Sequence, residues 1–528
     1  MDSLRNIVLF ALCSLLFAPL NSQTMVYLER ASNLSFDEER IADAQILRDD
    51  VIFRHEDALM YCDSAYFYEG SNSLDAFGHV RFVQGDTLRG FCDKLYYDGN
   101  RKLARMRQHV RLVHGRANEN PTILTTDSLN YDRVAGVAYY FLGGEVRDSL
   151  NTLVSIRGNY RPNTNQAVFS REVVLTNPNF ILTSDTLLYN TDTKIAYIVS
   201  PTEIIYDEET DIHSSRGWYN TSTERSMLLD RSVVHHIEGK MMTGDTIYYD
   251  KQIGFGEVLG QMMMSDSVQK ITLTGEYGQM WEEDSRGYAT DSALMIDWSD
   301  EDHMAYIHAD TLFTEELHYS DSILQADSTL TDSTYRRARA FYGVRVFRDD
   351  MQMVCDSLVY LGSDSTMHLY TNPICWSENQ QIAADSITVY IVNGAVEHAV
   401  GIGNALCVMH DTLEFFNQMS GKQVIAYLIE GEVKTVDTDG NALTIYYAKE
   451  KSGDYVGMNT TESSFIRMYV ENQQIHHMRF TKETTGVMYP MDQIPEGGDH
   501  LTIFFWEEAA RPIDPQDVFR KTESITRP

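Results

Sequence analysis

Cys62-Asp63-Ser64-Ala65-Tyr66-Phe67-Tyr68, then Ala76-Phe77-Gly78-His79-Val80-Arg81-Phe82, then Cys92-Asp93-Lys94-Leu95-Tyr96-Tyr97-Asp98: the first and third segments are one phrase, a small residue, an Asp, then alternating apolar and aromatic residues. The middle segment is a second phrase centred on Gly-x-Val. Each alternates apolar with polar residues over five to seven positions, the period of a half-buried β-strand. The first phrase returns around Asp127, Asp185, Asp245, Asp356 and Asp385. From Asp63 to Asp245 the intervals are 30, 34, 58 and 60 residues, and the two double steps are filled by Ile156-Arg157-Gly158-Asn159-Tyr160 and Ser215-Arg216-Gly217-Trp218-Tyr219, which keep the aromatic and lose the Asp. The second phrase returns half a period later, at Gly144-Glu145-Val146, Arg171-Glu172-Val173, Arg231-Ser232-Val233, Leu259-Gly260-Gln261 and Gly343-Val344-Arg345-Val346. A period near 30 with two strands and two turns predicts an all-β stack, because one such unit cannot bury its apolar face alone.

The chain is long enough for that interior, with 528 residues, 43% of them hydrophobic. Ile7 to Leu20 is an apolar run after Arg5 and before Asn21-Ser22-Gln23, which reads as a secretory signal peptide over residues 1–22, shorter than a membrane span. The mature protein is therefore expected in the periplasm, free or associated with the outer membrane. A formal net charge of −34 repels phosphate backbones and anionic bilayers, which excludes nucleic acid as a partner.

Candidates for chemistry are thin. Five cysteines remain after Cys13, and Cys62 and Cys92 occupy equivalent repeat positions. They are either bridged or simply small and buried, as the slot holds Thr126, Ser184, Gly244 and Ala384 elsewhere. The recurring Asp is read as a side chain that caps backbone N–H groups where the chain turns into a strand, not as a metal row, since Arg157 fills one slot. No HExxH, GxSxG or P-loop is present. No catalytic residue, metal site or cofactor is expected, and the protein is not expected to be an enzyme.

The alternation of Ala/Cys-Asp-Ser/Thr-Leu-x-Tyr with Ala-x-Gly-x-Val resembles the OstA-like family of lipopolysaccharide-transport proteins, which includes LptA and the N-terminal domain of LptD. The resemblance runs from about Leu28 to Tyr447 and is strongest to the larger Bacteroidetes-type members. It implies a V-shaped, solenoid-like β-jelly roll whose apolar groove holds the acyl chains of lipopolysaccharide. It also implies partnership with other OstA-like envelope proteins and edge-to-edge self-association. The groove is expected along the recurring positions Tyr66, Leu95, Tyr97, Leu129, Tyr131, Leu187, Tyr189, Ile247 and Tyr249. The alternative is a structural or adhesive β-solenoid of the cell envelope with a packed core.

The domain expectation is repeats over 23–280, an irregular linker-like segment over 281–334 where the pattern weakens, further repeats over 335–450, and a β cap over 451–528. Thr502 to Trp506 and Arg511 to Pro515 belong to that cap.

Overall fold

The computed structural model describes residues 24–39, 41–116, 120–283, 285–319, 334–392, 394–412, 414–450 and 452–521. The expected signal peptide lies outside them. Among the described residues the chain is all-β, with strands from Tyr27–Arg30 to Thr485–Pro490, a few 3-10 turns and no α-helix. It divides into two compact units, Met1–Glu224 and Arg225–Pro528, so the division falls within the stretch read from sequence as one array.

In the first unit, successive long strands pair antiparallel. Gln45–His55 pairs with Ala58–Tyr68, which pairs with Ser73–Gln84, then Leu88–Asp98, Leu103–His114 and Thr122–Asp132. Each is broken in the middle. The second phrase of the repeat supplies the break, because Gly78-His79, Gln108-His109 and Arg171-Glu172 all have left-handed φ, between 43° and 74°. The ladder register shifts at the same places. A bulge of this kind bends a strand and re-aims its side chains. Every long strand therefore contributes one half to a first leaf and the other half to a second. Side chains from the two leaves meet inside: the rings of Phe53 and Phe67 are 5.3 Å apart and those of Phe82 and Tyr131 6.0 Å apart.

The bend explains both the Asp and the small slot before it. Asp63 and Asp93 sit in mid-strand at the corner, not at a strand entrance, and each meets the left-handed residue of the next strand: His79 Nδ1 is 2.7 Å from Asp63 and His109 Nδ1 is 2.7 Å from Asp93. A Cβ on Gly78 would lie 2.4 Å from Asp63 Oδ2, so this position needs Gly for space as well as for φ. The small slot turns inward at the apex, and where it is Ser its hydroxyl donates to the carbonyl two residues on: Ser155 to Arg157, Ser184 to Thr186 and Ser214 to Arg216, at 2.9–3.1 Å. Cys62 and Cys92 fill the same slot as free thiols. They lie two strands apart, roughly 9–10 Å, beyond the reach of a disulfide, and burial pushes both thiols up to about 12.

The second unit repeats the plan, with left-handed pairs at Asp230-Arg231, Gly260-Gln261, Tyr342-Gly343 and Gly403-Asn404. The stretch expected to be irregular holds two regular strands of the ladder, Arg286–Asp297 and Ala305–His318; residues 320–333 lie outside the described residues. The expected β cap is only partly β. After Tyr455–Glu471, Gln474–Thr481 and Thr485–Pro490 the chain leaves strand geometry and crosses the outer surface of the second unit's own first leaf as a strap. Gln418, Gln381 and Arg345, buried on that outer surface, satisfy the strap backbone in turn, and Gln352 holds a strap side chain. Gln418 bonds Asp499 O and Leu501 N, Gln381 bonds Phe505 O and Glu507 N, and Arg345 bonds Ala510 O and Asp517 O. Arg511 Nε donates to Gln352 Oε1. Phe505 and Ala510 pack on Val354, Ile374 and Trp376, leaving those strands buried on both faces.

Candidate functional site

The interior of the first unit is built from two facing rows. Following the register across the first leaf, Phe53, Met60, Phe82, Gly90, Leu112 and Leu124 lie side by side, and the row continues through Val146, Leu153, Leu175 and Leu182 to Ile204. Across the second leaf runs Tyr97, Ala104, Tyr131, Ala138, Tyr160, Ala167, Tyr189, Ala196, Tyr219, a strict alternation over nine strands. Each Ala leaves space for the rings beside it, which the ~4.8 Å strand spacing would otherwise crowd.

The tyrosine hydroxyls reach the opposite leaf. Arg133 Nη1 donates to Tyr97 OH at 2.7 Å, which leaves that hydroxyl to donate to His55 Nδ1, also at 2.7 Å, while His55 Nε2 bonds Thr24 O. Arg133 is itself held by Asp57 at 2.6 Å. Tyr131 donates to Gln84 Oε1 at 3.1 Å, and Tyr160 OH lies 2.7 Å from His114 Nδ1. Tyr189 donates to Asp148 Oδ2 at 2.7 Å and accepts from Asn151 at 2.8 Å; Lys194 completes the Asp148 shell at 3.0 Å. Burial raises the phenol pKa of Tyr97, Tyr131, Tyr160 and Tyr189, so each stays a neutral donor. Burial lowers His55 and His114, which keeps both imidazoles neutral. The mouth between the leaves is therefore closed by a row of hydrogen-bonded tyrosines. Tyr219 ends the row with a buried hydroxyl that has no hydrogen-bond partner among the described residues.

Of the positions read from sequence, Leu95, Leu129 and Leu187 are 0% exposed and Tyr97, Tyr131 and Tyr189 are 2–3% exposed, all on the inner face of the second leaf. Ile247 and Tyr249 take the corresponding inner positions of the second unit; Ile247 is buried and Tyr249 half-buried, with its hydroxyl bonded to Glu282. Tyr66 is a correction. It points to the opposite face, against Phe77, with ring centroids 5.4 Å apart, and Phe67 takes the inward place. A one-residue slip reverses every side chain in a strand, and the run Tyr66-Phe67-Tyr68 offers an aromatic in either register. The alanine row, the first-leaf row and the rim residues His55, Gln84 and His114 are absent from the sequence reading, although Tyr160 and Tyr219 stand in its repeat phrase.

On the outer face, Glu203, Asp211 and His213 place ligand atoms within 4.8 Å of one another, close enough to share an ion, and His213 Nε2 lies 3.0 Å from Asp211. What the interior offers is apolar surface in facing rows, which suits a hydrocarbon chain. No curated protein matches the chain. Residues 23–185 and 173–245 match the family model described as OstA-like protein. Residues 23–245 are therefore similar in sequence to the OstA-like family.

Proposed function

We propose that this is a non-enzymatic, periplasmic lipid-binding protein that bridges lipopolysaccharide toward the outer membrane, holding acyl chains between its two leaves. The observation that carries this reading is the unbroken inner face: neighbouring apolar side chains continue from strand to strand with no polar interruption in the middle row of the first leaf. Such a face binds hydrocarbon in proportion to the area it covers, about 25 cal/mol per Å². The proposed lining on the facing second leaf is Leu95, Tyr97, Leu129, Tyr131, Leu187 and Tyr189 in the first unit, with Ile247 and Tyr249 in the corresponding places of the second unit. Other OstA-like envelope proteins, or a second copy of this chain, would pair with the sheet edges, among them Gln474–Thr481.

A second reading, a structural envelope solenoid, is favoured by one observation, the burial of the whole tyrosine row in the first unit. The two readings separate in one experiment. The protein is extracted from envelopes in mild detergent and its bound lipid is identified by mass spectrometry. An acylated lipid at fixed stoichiometry supports transport; lipid-free protein from envelopes rich in lipopolysaccharide supports the structural role.

A further inference from the structure

Residues 76–116 run against the charge of the chain. They hold nine of its 43 lysines and arginines but only three of its 77 acidic residues. Each of the three acids is engaged, Asp86 with Arg116, Asp93 with His109 and Asp98 with Arg101. Lys102 pairs with Glu56, Arg89 donates to Gly115 O, and Arg81 and Arg111 lie over the rings of Tyr61 and Phe91 on the outer face of the first leaf. What remains is Lys94, Arg105 and Arg107, together on the outer face of the second leaf, behind the tyrosine row. Lys94 stands directly opposite Arg107, and Tyr96 directly opposite Arg105, which puts the three cationic Cβ atoms within roughly 8 Å of one another. Among the described residues none of the three makes an ion pair. The acids nearest in register turn elsewhere: Asp75 bonds Tyr68 at 3.5 Å, Asp98 Oδ1 accepts from Arg101 N at 3.0 Å, and Asp132 accepts from the N–H groups of Val134 and Ala135 at 2.9 Å. Like charges directly opposite destabilise a sheet, yet this pair is left uncompensated in a chain rich in acids. Arg107 is also held in place: half-buried, its guanidinium donates to Met106 O at 2.7 Å, Leu129 O at 3.1 Å and Asn130 Oδ1 at 2.9 Å. Those partners are neutral, so the charge is fixed but not cancelled, and burial, then Arg105, lower its pKa.

We infer that Lys94, Arg105 and Arg107 form a site for a phosphate monoester, on the outer face of the first unit and independent of its apolar interior. Three long cationic side chains around one point suit a dianion with three terminal oxygens better than a carboxylate, which has a single charge and two oxygens. Guanidinium forks match phosphate oxygens in pairs, and an ammonium adds a point charge. Phe77 opposite Lys94 and Tyr96 opposite Arg105 border the cations, their ring centroids 6.4 Å apart and their planes at 89°. These rings offer apolar surface to the organic half of the ester, a sugar or a glycerolipid. The net charge of −34 acts weakly at this spot, because exposed charges more than about 8 Å away are largely screened at physiological ionic strength.

The test uses the whole chain with two probes: glucose 6-phosphate, measured by equilibrium dialysis, and vesicles of phosphatidylcholine and phosphatidic acid, measured by flotation. Saturable binding of at least one is expected. Lys94→Gln with Arg105→Gln should weaken it roughly tenfold or more, two charge-assisted hydrogen bonds being lost, while Arg81→Gln with Arg111→Gln leaves it unchanged. Binding in dialysis assigns a soluble phosphorylated ligand, and binding to vesicles alone assigns a lipid headgroup. Binding of neither probe overturns the site. So does binding that both double variants weaken equally, the mark of general cationic attraction, or binding that survives Lys94→Gln with Arg105→Gln, the mark of another surface. Stability gives a second reading: with its repulsion removed, Lys94→Gln should keep or raise the thermal midpoint, and a lowered midpoint would show that Lys94 is already neutralised within the fold, contradicting the assignment.

Discussion

Tyr189 is the clearest single residue in which packing and polarity are joined. Its ring fills the space left by Ala167 and Ala196 on the flanking strands, and its hydroxyl bridges to Asp148 and Asn151 across the mouth. Tyr189→Phe keeps the ring and removes the bridge, leaving Asp148 buried with one partner fewer. The expected cost is about 1–3 kcal/mol, read as a lowered midpoint of urea unfolding. An unchanged midpoint would mean that the row packs but does not close the mouth. The tyrosines were legible in the sequence because they recur at one place in a marked phrase. The alanines opposite were not, since an Ala in a half-buried strand has many possible reasons and only the pairing register gives it this one. Tyr66 was misplaced for a related reason: two aromatics in succession leave the inward position undecided until Ala65 and Phe67 are seen to be buried.

The recurring element is a bent strand, and its sequence mark is the second phrase. What period-2 patterning cannot reveal is that Gly-x-Val is the middle of a strand and not its edge, because two left-handed residues look like a turn. Gly78 and Gly343 both have positive φ, 74° and 63°, but only Gly78 is crowded, by Asp63. Gly78→Ala combines strain with a clash and should cost at least about 1 kcal/mol. Gly343→Asn should cost less, Asn being tolerant of this region and already present at the matching bend as Asn404. Equal thermal shifts for the two variants would contradict the role given to the Asp ladder. The strands over 286–318 were hidden by their composition: Gly287, Ala289 and Met295 hold the inward places that Leu and Tyr hold elsewhere, so the array continues without its signature residues.

The strap is another element, one that no local pattern marks. Arg345 reads from sequence as the polar residue of an alternating strand, yet it is 1% exposed and bonded to Ala510 and Asp517, more than 160 residues later in the chain. Arg345→Met keeps much of the volume and removes these bonds. It should release the strap and expose Trp376, giving a red-shifted tryptophan emission and faster proteolysis after residue 490. A variant with wild-type emission and proteolysis would show that the apolar contacts of Phe505, Ala510 and Val518 hold the strap unaided.

For the molecule as a whole, the buried histidines set the direction of the pH response. His55, His114 and His308 all have lowered pKa, with burial the leading cause. The unfolded chain binds their protons near pH 6.5 while the folded chain resists, so their contribution is complete above about 6.5 and is lost as the pH falls toward the folded values. His79 and His109 shift upward beside Asp63 and Asp93, with the opposite sign, but both are fully exposed and screened. Thermal unfolding should therefore move to lower temperature between pH 7.5 and 5.5, and a midpoint that holds or rises over that range would be inconsistent with closed, neutral rims.

The central claim is that apolar interior surface of this protein takes up hydrocarbon. Calorimetric titration with decanoate below its micelle concentration, repeated at several temperatures, tests it most directly, because burial of apolar surface leaves a negative heat-capacity change whatever the sign of the enthalpy. The account expects saturable binding with a negative heat-capacity change. The absence of saturable heat at every temperature would contradict it.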